Sequence, residues 1–173
     1  MRSIAKPQEG EFPPYANMYI RPIPGDGLLL KHLRDNFIAM KQLILSLPEE
    51  KLNYRYAQNK WTIKEILVHI IDDERIYAYR ALCFARNDKT ELPGFEQDDY
   101  VSLSGAGERS IENIFEEYES VRRSTIALFN GLPEDCFLRT GTANSNKATV
   151  RALAYHIAGH ELHHLNIIRE KYL

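Results

Sequence analysis

Apolar residues recur at helical spacing in four long stretches of the chain. The first stretch runs from Asp26 to Leu47 and stops at Pro48. Residues that recur every three or four positions lie on one face of a helix, and proline does not continue one. The pattern therefore predicts a helix with an N-cap at Asp26 and an end at Leu47. Its apolar positions are Leu29, Leu30, Leu33, Phe37, Met40, Ile44 and Leu47.

A second helix has a well-marked start. Thr62 and Glu65 are spaced as a capping box, in which each side chain bonds the other residue's backbone N–H. Trp61 and Ile66 flank the cap at the spacing of a hydrophobic staple. The apolar periodicity continues to residue 84 or 85, where the second predicted helix ends.

Two further helices follow, each after a polar connection. Residues 86–108 form the first connection, and a third helix is predicted from near Ser110 to Gly131. Residues 134–148 form the second connection, and Thr149 can cap a fourth helix. Few segments alternate with period two, so we expect no sheet of consequence. Four helices of about 20 residues, each about 30 Å long, predict an all-α, four-helix bundle.

The two halves of the chain resemble each other weakly. Residues 47–50 read LPEE and residues 132–135 read LPED, each at the end of a predicted helix. Each is followed by a polar stretch and a Thr-capped helix with a histidine seven residues after the threonine, His69 and then His156. The repeat predicts two helical hairpins, each ending in a histidine-bearing helix.

Length and composition limit the architecture and the partners. A chain of 173 residues fits a single domain, and residues 1–26, with five of the eight prolines, are predicted to form an extended arm packed on it. The chain has 22 basic and 24 acidic residues, so we expect no nucleic-acid or membrane partner. Cys83 and Cys136 form no metal-ligand grouping, and no apolar run reaches about 18 residues. These features predict a cytoplasmic protein with reduced thiols.

Four of the six histidines lie between residues 154 and 172. His160 and His164 are four residues apart, so on a helix they lie one turn apart and can bind one ion. They fall on or beside the apolar stripe of the fourth helix, whereas His156 and His163 point further round. The stripe consists of Val150, Leu153, Ile157 and Ile168.

A functional metal site needs a third protein ligand. In a bundle whose sites lie between facing helices, His69 can meet His160 and His164. The internal repeat would equally place His69 at the depth of His156, which gives an alternative ligand set. Without a metal, the same residues would be hydrogen-bonded or surface histidines.

Three segments together resemble the DinB/YfiT-like superfamily. They read WTIKEILVHIIDDERIYAYRAL, LPGFEQDDY and HIAGHELHHLNIIREKY, and the resemblance extends from about Gly25 to the end of the chain. It implies a four-helix bundle with a long crossover connection and often a homodimer. It also implies one divalent ion held by His69, His160 and His164, with zinc or nickel favoured and iron or manganese as alternatives.

The resemblance also implies an activity. Characterised members of this family are similar to thiol S-transferases, which join a low-molecular-weight thiol to an electrophile. The N-terminal arm and residues 95–100 would line the thiol's pocket. A hydrolase that activates water is the alternative, with Asp73, Glu74 and Glu161 as candidates for its base. A third interpretation is a metal site without catalysis.

Overall fold

The fold is given by a computed structural model that describes all 173 residues. Seven α-helices and one short hairpin of two strands follow one another along the chain. They are α1 (Asn17–Ile20), α2 (Leu29–Leu45), α3 (Glu49–Leu52), α4 (Ile63–Ala85), α5 (Gln97–Ser102), α6 (Ile111–Gly131), β1 (Thr140–Ala143), β2 (Asn146–Thr149) and α7 (Val150–Lys171). The four long helices α2, α4, α6 and α7 match the four predicted ones and form a bundle. No helix is both long enough and apolar enough to cross a lipid bilayer.

The order of the helices around the bundle differs from the two hairpins that the repeat predicts. Helix α4 packs against α6 and α7, and α2 packs against the same two helices. The consecutive helices α2 and α4 therefore lie across a diagonal of the bundle, as do α6 and α7. The repeat fixes the length and spacing of the helices, but it contains no information on which neighbour each apolar face meets.

The caps predicted at Thr62 and Thr149 are confirmed, and the structure adds one at Ser110. Thr62 and Glu65 form the complete capping box of α4. Ser110 caps α6, and Thr149 caps α7. The start of α2 differs, because Asp26 lies three residues before the first helical residue and its carboxylate accepts a hydrogen bond from the Leu28 N–H.

The second polar connection contains the small sheet that the sequence pattern did not predict. Strands β1 and β2 pair antiparallel through a two-residue turn at Asn144 and Ser145, both with positive φ. Such turns suit the twist of a hairpin. Gly141 lies against the Phe84 ring, where an added β-carbon would be only 2.1 Å from the ring. The hairpin therefore packs directly on the end of α4.

The N-terminal arm packs on the bundle as expected, but it is not extended throughout. Its residues 14–20 form a 3₁₀ turn followed by α1, which lies against α7. Ile4, Ile20 and Ile23 are buried in the core. The Tyr155 hydroxyl of α7 donates a hydrogen bond to the Ile4 carbonyl. Because its apolar residues are buried, the arm is part of the domain's core.

A polar layer divides the apolar core of the bundle into two clusters. One cluster joins the arm to the first half of α7 and the second half of α4, and the other fills the opposite end of the bundle. Buried charged and imidazole groups lie between them, where α4, α6 and α7 meet. These groups are His69, Asp73, Glu74, Arg122, His160, Glu161 and His164.

Candidate metal centre

Three histidines of the polar layer face one another across the contact between α4 and α7. His69 comes from α4, and His160 and His164 come from consecutive turns of α7. All three are buried, and each offers a ring nitrogen within 4.8 Å of the other two. The structure thus brings together the three histidines that the resemblance implies.

The distances between these rings fit a bound cation. His160 Nε2 lies 3.0 Å from His69 Nε2 and 3.1 Å from His164 Nε2. A ring nitrogen carries either one hydrogen or one lone pair. The Nε2 atom of His160 can therefore form a hydrogen bond with His69 or with His164, but not with both. A divalent ion held by the three rings would accept a lone pair from each, and nitrogens bound tetrahedrally to zinc at about 2.0–2.1 Å lie about 3.3 Å apart, close to the two separations of His160.

The protein environment keeps these imidazoles neutral. Burial lowers the pKa of His160 to about 3, although the charge of Asp73 opposes this effect. Burial and the neighbouring rings lower the pKa of His164 to about 2. Burial likewise lowers the pKa of His69. Neutral imidazole is the form that binds metals, so the site is ready to bind an ion at neutral pH.

Asp73 lies on the side of the His160 ring that faces away from His69 and His164. Its Oδ2 atom is 3.3 Å from His160 Nδ1 and 3.3 Å from His156 Nε2. Neither contact has the alignment of a hydrogen bond, and Oδ2 has no other partner. Burial raises the pKa of the Asp73 carboxyl, whereas its interactions with His160 and His156 lower it, and the net shift is downward, which favours the carboxylate. The anion can therefore keep the Nδ1 hydrogen on His160 and leave Nε2 free for a metal.

The other two histidines of α7 stand outside the three-histidine cluster. His156 is buried, stacks on the Tyr77 ring at 3.7 Å, and contacts Asp73. His163 is half-buried, with its ring centroid 5.3 Å from that of His164. The structure therefore brings His69 together with His160 and His164. It does not form the alternative ligand set in which His69 pairs with His156.

Two of the three candidate bases are held by an arginine of α6. The Arg122 guanidinium binds Glu74 at 2.8 Å and Glu161 at 3.0 Å, and all three are almost inaccessible to solvent. The Tyr118 hydroxyl donates a short hydrogen bond to Glu161. Although burial lowers the pKa of Arg122, the charges of Glu161 and Glu74 raise it well above its usual value. Glu74 and Glu161 therefore form a buried ion-pair network and are poorly placed to accept a substrate's proton.

A pocket of about 330 Å³ opens beside the cluster and reaches His164. Trp61 forms one wall and lies 4.7 Å from the His69 ring, measured between centroids. The crossover connection, residues 86–110 between α4 and α6, contributes Gln97 and Asp98 from α5. Burial lowers the pKa of His69, and the negative charges of Asp73 and, to a smaller extent, Asp98 only partly oppose this effect. The crossover therefore places the exposed Asp98 carboxylate at the entrance to the histidines. Asp98 belongs to the 95–100 segment that we expected from the sequence to line a pocket.

The fold and the position of the histidines agree with the comparison to known families. A family model of the DinB superfamily matches residues 32–168. The chain belongs to the DinB superfamily. The match includes α4, the crossover and nearly all of α7, which are the elements that form the candidate centre.

Individual relatives support the same assignment. A protein of Oceanobacillus iheyensis, named as a candidate metal-dependent hydrolase, is 25% identical over 142 residues, which is 81% of each chain. The solved structure of YfiT from Bacillus subtilis, described as a probable metal-dependent hydrolase with an unusual four-helix bundle topology, superposes with a TM-score of 0.76. It is 16% identical and the match covers 96% of this chain and 91% of YfiT, so it establishes the fold.

Two residues at this DinB-superfamily site were not singled out from the sequence, although one of them lies in the 95–100 segment assigned to a pocket. The Tyr19 ring of the arm packs edge-on against His156, His160 and His163, with centroids 4.9 to 5.5 Å away. Asp98 belongs to a polar connection that contains several other acids. Neither has a local sequence signal, because each reaches the site through the path of a long connecting segment.

Proposed function

We propose that this protein is a metal-dependent enzyme in which His69, His160 and His164 hold one divalent ion. The convergence of three buried, neutral imidazoles beside an open pocket supports this proposal. Imidazole ligands suit zinc and nickel, with iron or manganese as alternatives. Three protein ligands leave positions open for a substrate, as catalytic sites require.

The favoured reaction is transfer of a low-molecular-weight thiol to an electrophile. A divalent ion supplies positive charge that lowers the pKa of a thiol or a water molecule bound beside it. A thiol starts from a pKa of about 8.5, so it ionises with far less help from a base than water, whose pKa is about 15.7. The ion pairs of Glu74 and Glu161 favour the thiol reaction over hydrolysis. Because both carboxylates are bound to Arg122, neither is free to act as the base that hydrolysis needs.

The protein's own residues have separable roles in this proposal. Asp73 orients His160 and keeps its Nε2 lone pair toward the centre. Trp61 and Tyr56 give the pocket apolar walls that suit the body of an electrophile, while Lys60 and Asn59 offer polar groups. In the reaction the sulfur forms a bond to carbon, the leaving group departs with the electron pair, and the thiol proton goes to solvent.

A metal-dependent hydrolase is the second candidate. The position of Asp98 favours it, because this exposed carboxylate lines the pocket at His164 and could accept a proton from water. The two relatives are also described as metal-dependent hydrolases. In that reaction Asp98 would act as the base, and Asp98→Asn would abolish turnover while leaving metal content unchanged.

The experiment is turnover of chloro-dinitrobenzene and of a set of carboxylic and phosphate esters by the metal-loaded protein. Each substrate is assayed with a panel of small thiols and with no thiol. Thiol-dependent turnover that disappears in His160→Ala and persists in His163→Ala would support the transferase. Ester hydrolysis without thiol, lost in Asp98→Asn, would replace it with the hydrolase. A metal-loaded protein that turns over neither class would contradict both.

A further inference from the structure

The protein buries three cationic side chains, and two of them have carboxylate partners. Lys64 binds Glu49 at 2.7 Å, and Arg122 binds two glutamates. Arg80 is 6% exposed and has no carboxylate within ion-pair distance. A buried charge without a partner is costly, and proteins usually pair it or bind a ligand to it.

The contacts of Arg80 within the protein leave most of its donors unused. Its Nη2 atom donates one hydrogen bond, to the Pro93 carbonyl at 2.8 Å. Its guanidinium carbon lies 5.0 Å from the centroid of the Tyr77 ring, which provides a cation–π contact. A guanidinium has five N–H donors in a planar fork that matches a carboxylate or a phosphate. One carbonyl and one ring therefore neither neutralise the charge nor use the fork.

Arg80 lies in the wall of an open groove between α4 and the crossover connection. The groove has a volume of about 300 Å³, which is the lower end of the range for small-molecule sites. Its other walls are mainly aromatic and aliphatic, with Tyr79, Leu92, Phe95 and Tyr100 among them. The site thus combines one unpaired cation with an apolar surface large enough for a ring.

Arg75 lines the same groove and shows the contrast. Its guanidinium forms ion pairs with Glu117 and, at 3.8 Å, with Asp72. Its charge is therefore already balanced by the protein, and it has no need of a ligand. Of the two guanidinium groups that line the groove, only that of Arg80 lacks a carboxylate partner.

We propose that Arg80 anchors a binding site for a small organic oxyanion whose body is an aromatic or branched apolar group. The oxyanion binds the guanidinium fork, and the body lies along Phe95 and Tyr100. Arg80 follows His69 by eleven residues on α4, which corresponds to about 16 Å along the helix. The site is therefore separate from the histidine cluster, and it does not depend on the metal chemistry proposed above.

The test is titration of the protein with 4-fluorobenzoate, followed by fluorine NMR, beside the uncharged 4-fluorobenzamide. We expect the benzoate to bind at least about tenfold more tightly than the amide, since hydrogen bonds between charged partners are stronger than those to a neutral group. Arg80→Met should remove this preference, and Arg80→Lys should retain part of it. Arg75→Met is the matched control and should keep the preference. The His160→Ala variant tests whether the carboxylate binds instead to a metal at the histidines. It should bind 4-fluorobenzoate as tightly as the wild type does.

The folding of the variants gives an independent readout. Removing an unpaired buried charge is often neutral or stabilising, so Arg80→Met should melt at or above the wild-type temperature. Displacement of the fluorobenzoate by phenyl phosphate, but only weakly by inorganic phosphate, would support a site for an oxyanion with an apolar body. Equal binding of benzoate and benzamide, unchanged binding in both Arg80 variants, or a self-associated protein in which a second copy covers the groove would overturn the proposal.

Discussion

The backbone of Gly159 in α7 lies directly against the Tyr19 carbonyl of α1. A β-carbon at Gly159 would be 1.9 Å from that oxygen, far inside any allowed contact. The absence of a side chain lets the arm approach α7 between His156 and His160, where the Tyr19 ring covers both histidines. One glycine therefore determines how the arm closes one side of the candidate metal centre.

Gly159→Ala should displace the arm from α7. The clash is with backbone atoms, which cannot rotate away as a side chain would, so we expect a loss of about 1–3 kcal/mol in the free energy of unfolding. Faster proteolytic cleavage within residues 1–26 should accompany it. Gly107→Ala is the control, because a β-carbon there meets nothing within 4 Å. Equal stability and equal cleavage in the two variants would contradict the close packing of the arm.

Features that depend on the geometry of one helix could be predicted from the sequence. Features that depend on how distant segments pack together could not. The capping box at Thr62 and the one-turn spacing of His160 and His164 follow from the geometry of a single helix. The diagonal placement of α2 and α4, the position of Asp98 and the contact of Tyr19 with the histidines depend on packing between segments far apart in sequence. One sequence contains no direct measure of those contacts.

Metal content should separate the histidines of α7 into two groups. His160→Ala and His164→Ala should lose bound metal after reloading, with a fall in affinity of more than about a hundredfold, because each removes a direct ligand. His163→Ala, the control on the same helix, should retain one ion per chain. If His156→Ala lost metal as completely as His160→Ala, the alternative ligand set would replace the proposed one.

Asp73→Asn should weaken metal binding without removing a ligand. The amide cannot stabilise the Nδ1 hydrogen of His160 as the carboxylate does, and loss of such a partner typically costs about 10–100-fold in affinity. Competition with a chromophoric chelator measures the affinity, and the visible spectrum of the cobalt form reports the geometry. Asp72→Asn is the neighbouring control, since the Asp72 carboxylate faces Arg75. An unchanged affinity in Asp73→Asn would show that the 3.3 Å contact does not orient His160.

Glu11 should make the anchoring of the arm depend on pH. Its carboxylate accepts hydrogen bonds from Arg151 at 2.7 Å and from the Thr149 hydroxyl at 2.9 Å. The Arg151 bonds hold the pKa of the Glu11 carboxyl below its usual value, although burial opposes them. A depressed carboxyl pKa stabilises the fold above the unfolded value of about 4.3, and this stability is lost as the pH falls through the folded value.

The comparison with Glu11→Gln isolates this effect. At pH 7 the variant should be less stable than the wild type by about 1 kcal/mol, because the group is partly exposed and solvent screens the pair. The difference should shrink as the pH is lowered from 5 to 3 in urea unfolding experiments. A difference that stays constant over that range would show that the ion pair does not stabilise the folded arm.

Arg122 should be essential for stability because it balances two buried carboxylates. Arg122→Met leaves Glu74 and Glu161 charged or protonated without their partner, which should cost about 3–5 kcal/mol in the free energy of unfolding. Arg123→Met is the control, since the neighbouring side chain is exposed on the same helix. Replacing both glutamates with glutamine in the Arg122→Met background should recover part of the loss. Urea unfolding in the presence of a chelator measures the stability of all these variants without a contribution from metal. A loss below about 1 kcal/mol in the free energy of unfolding of Arg122→Met would mean that the two carboxylates find another partner or reach water.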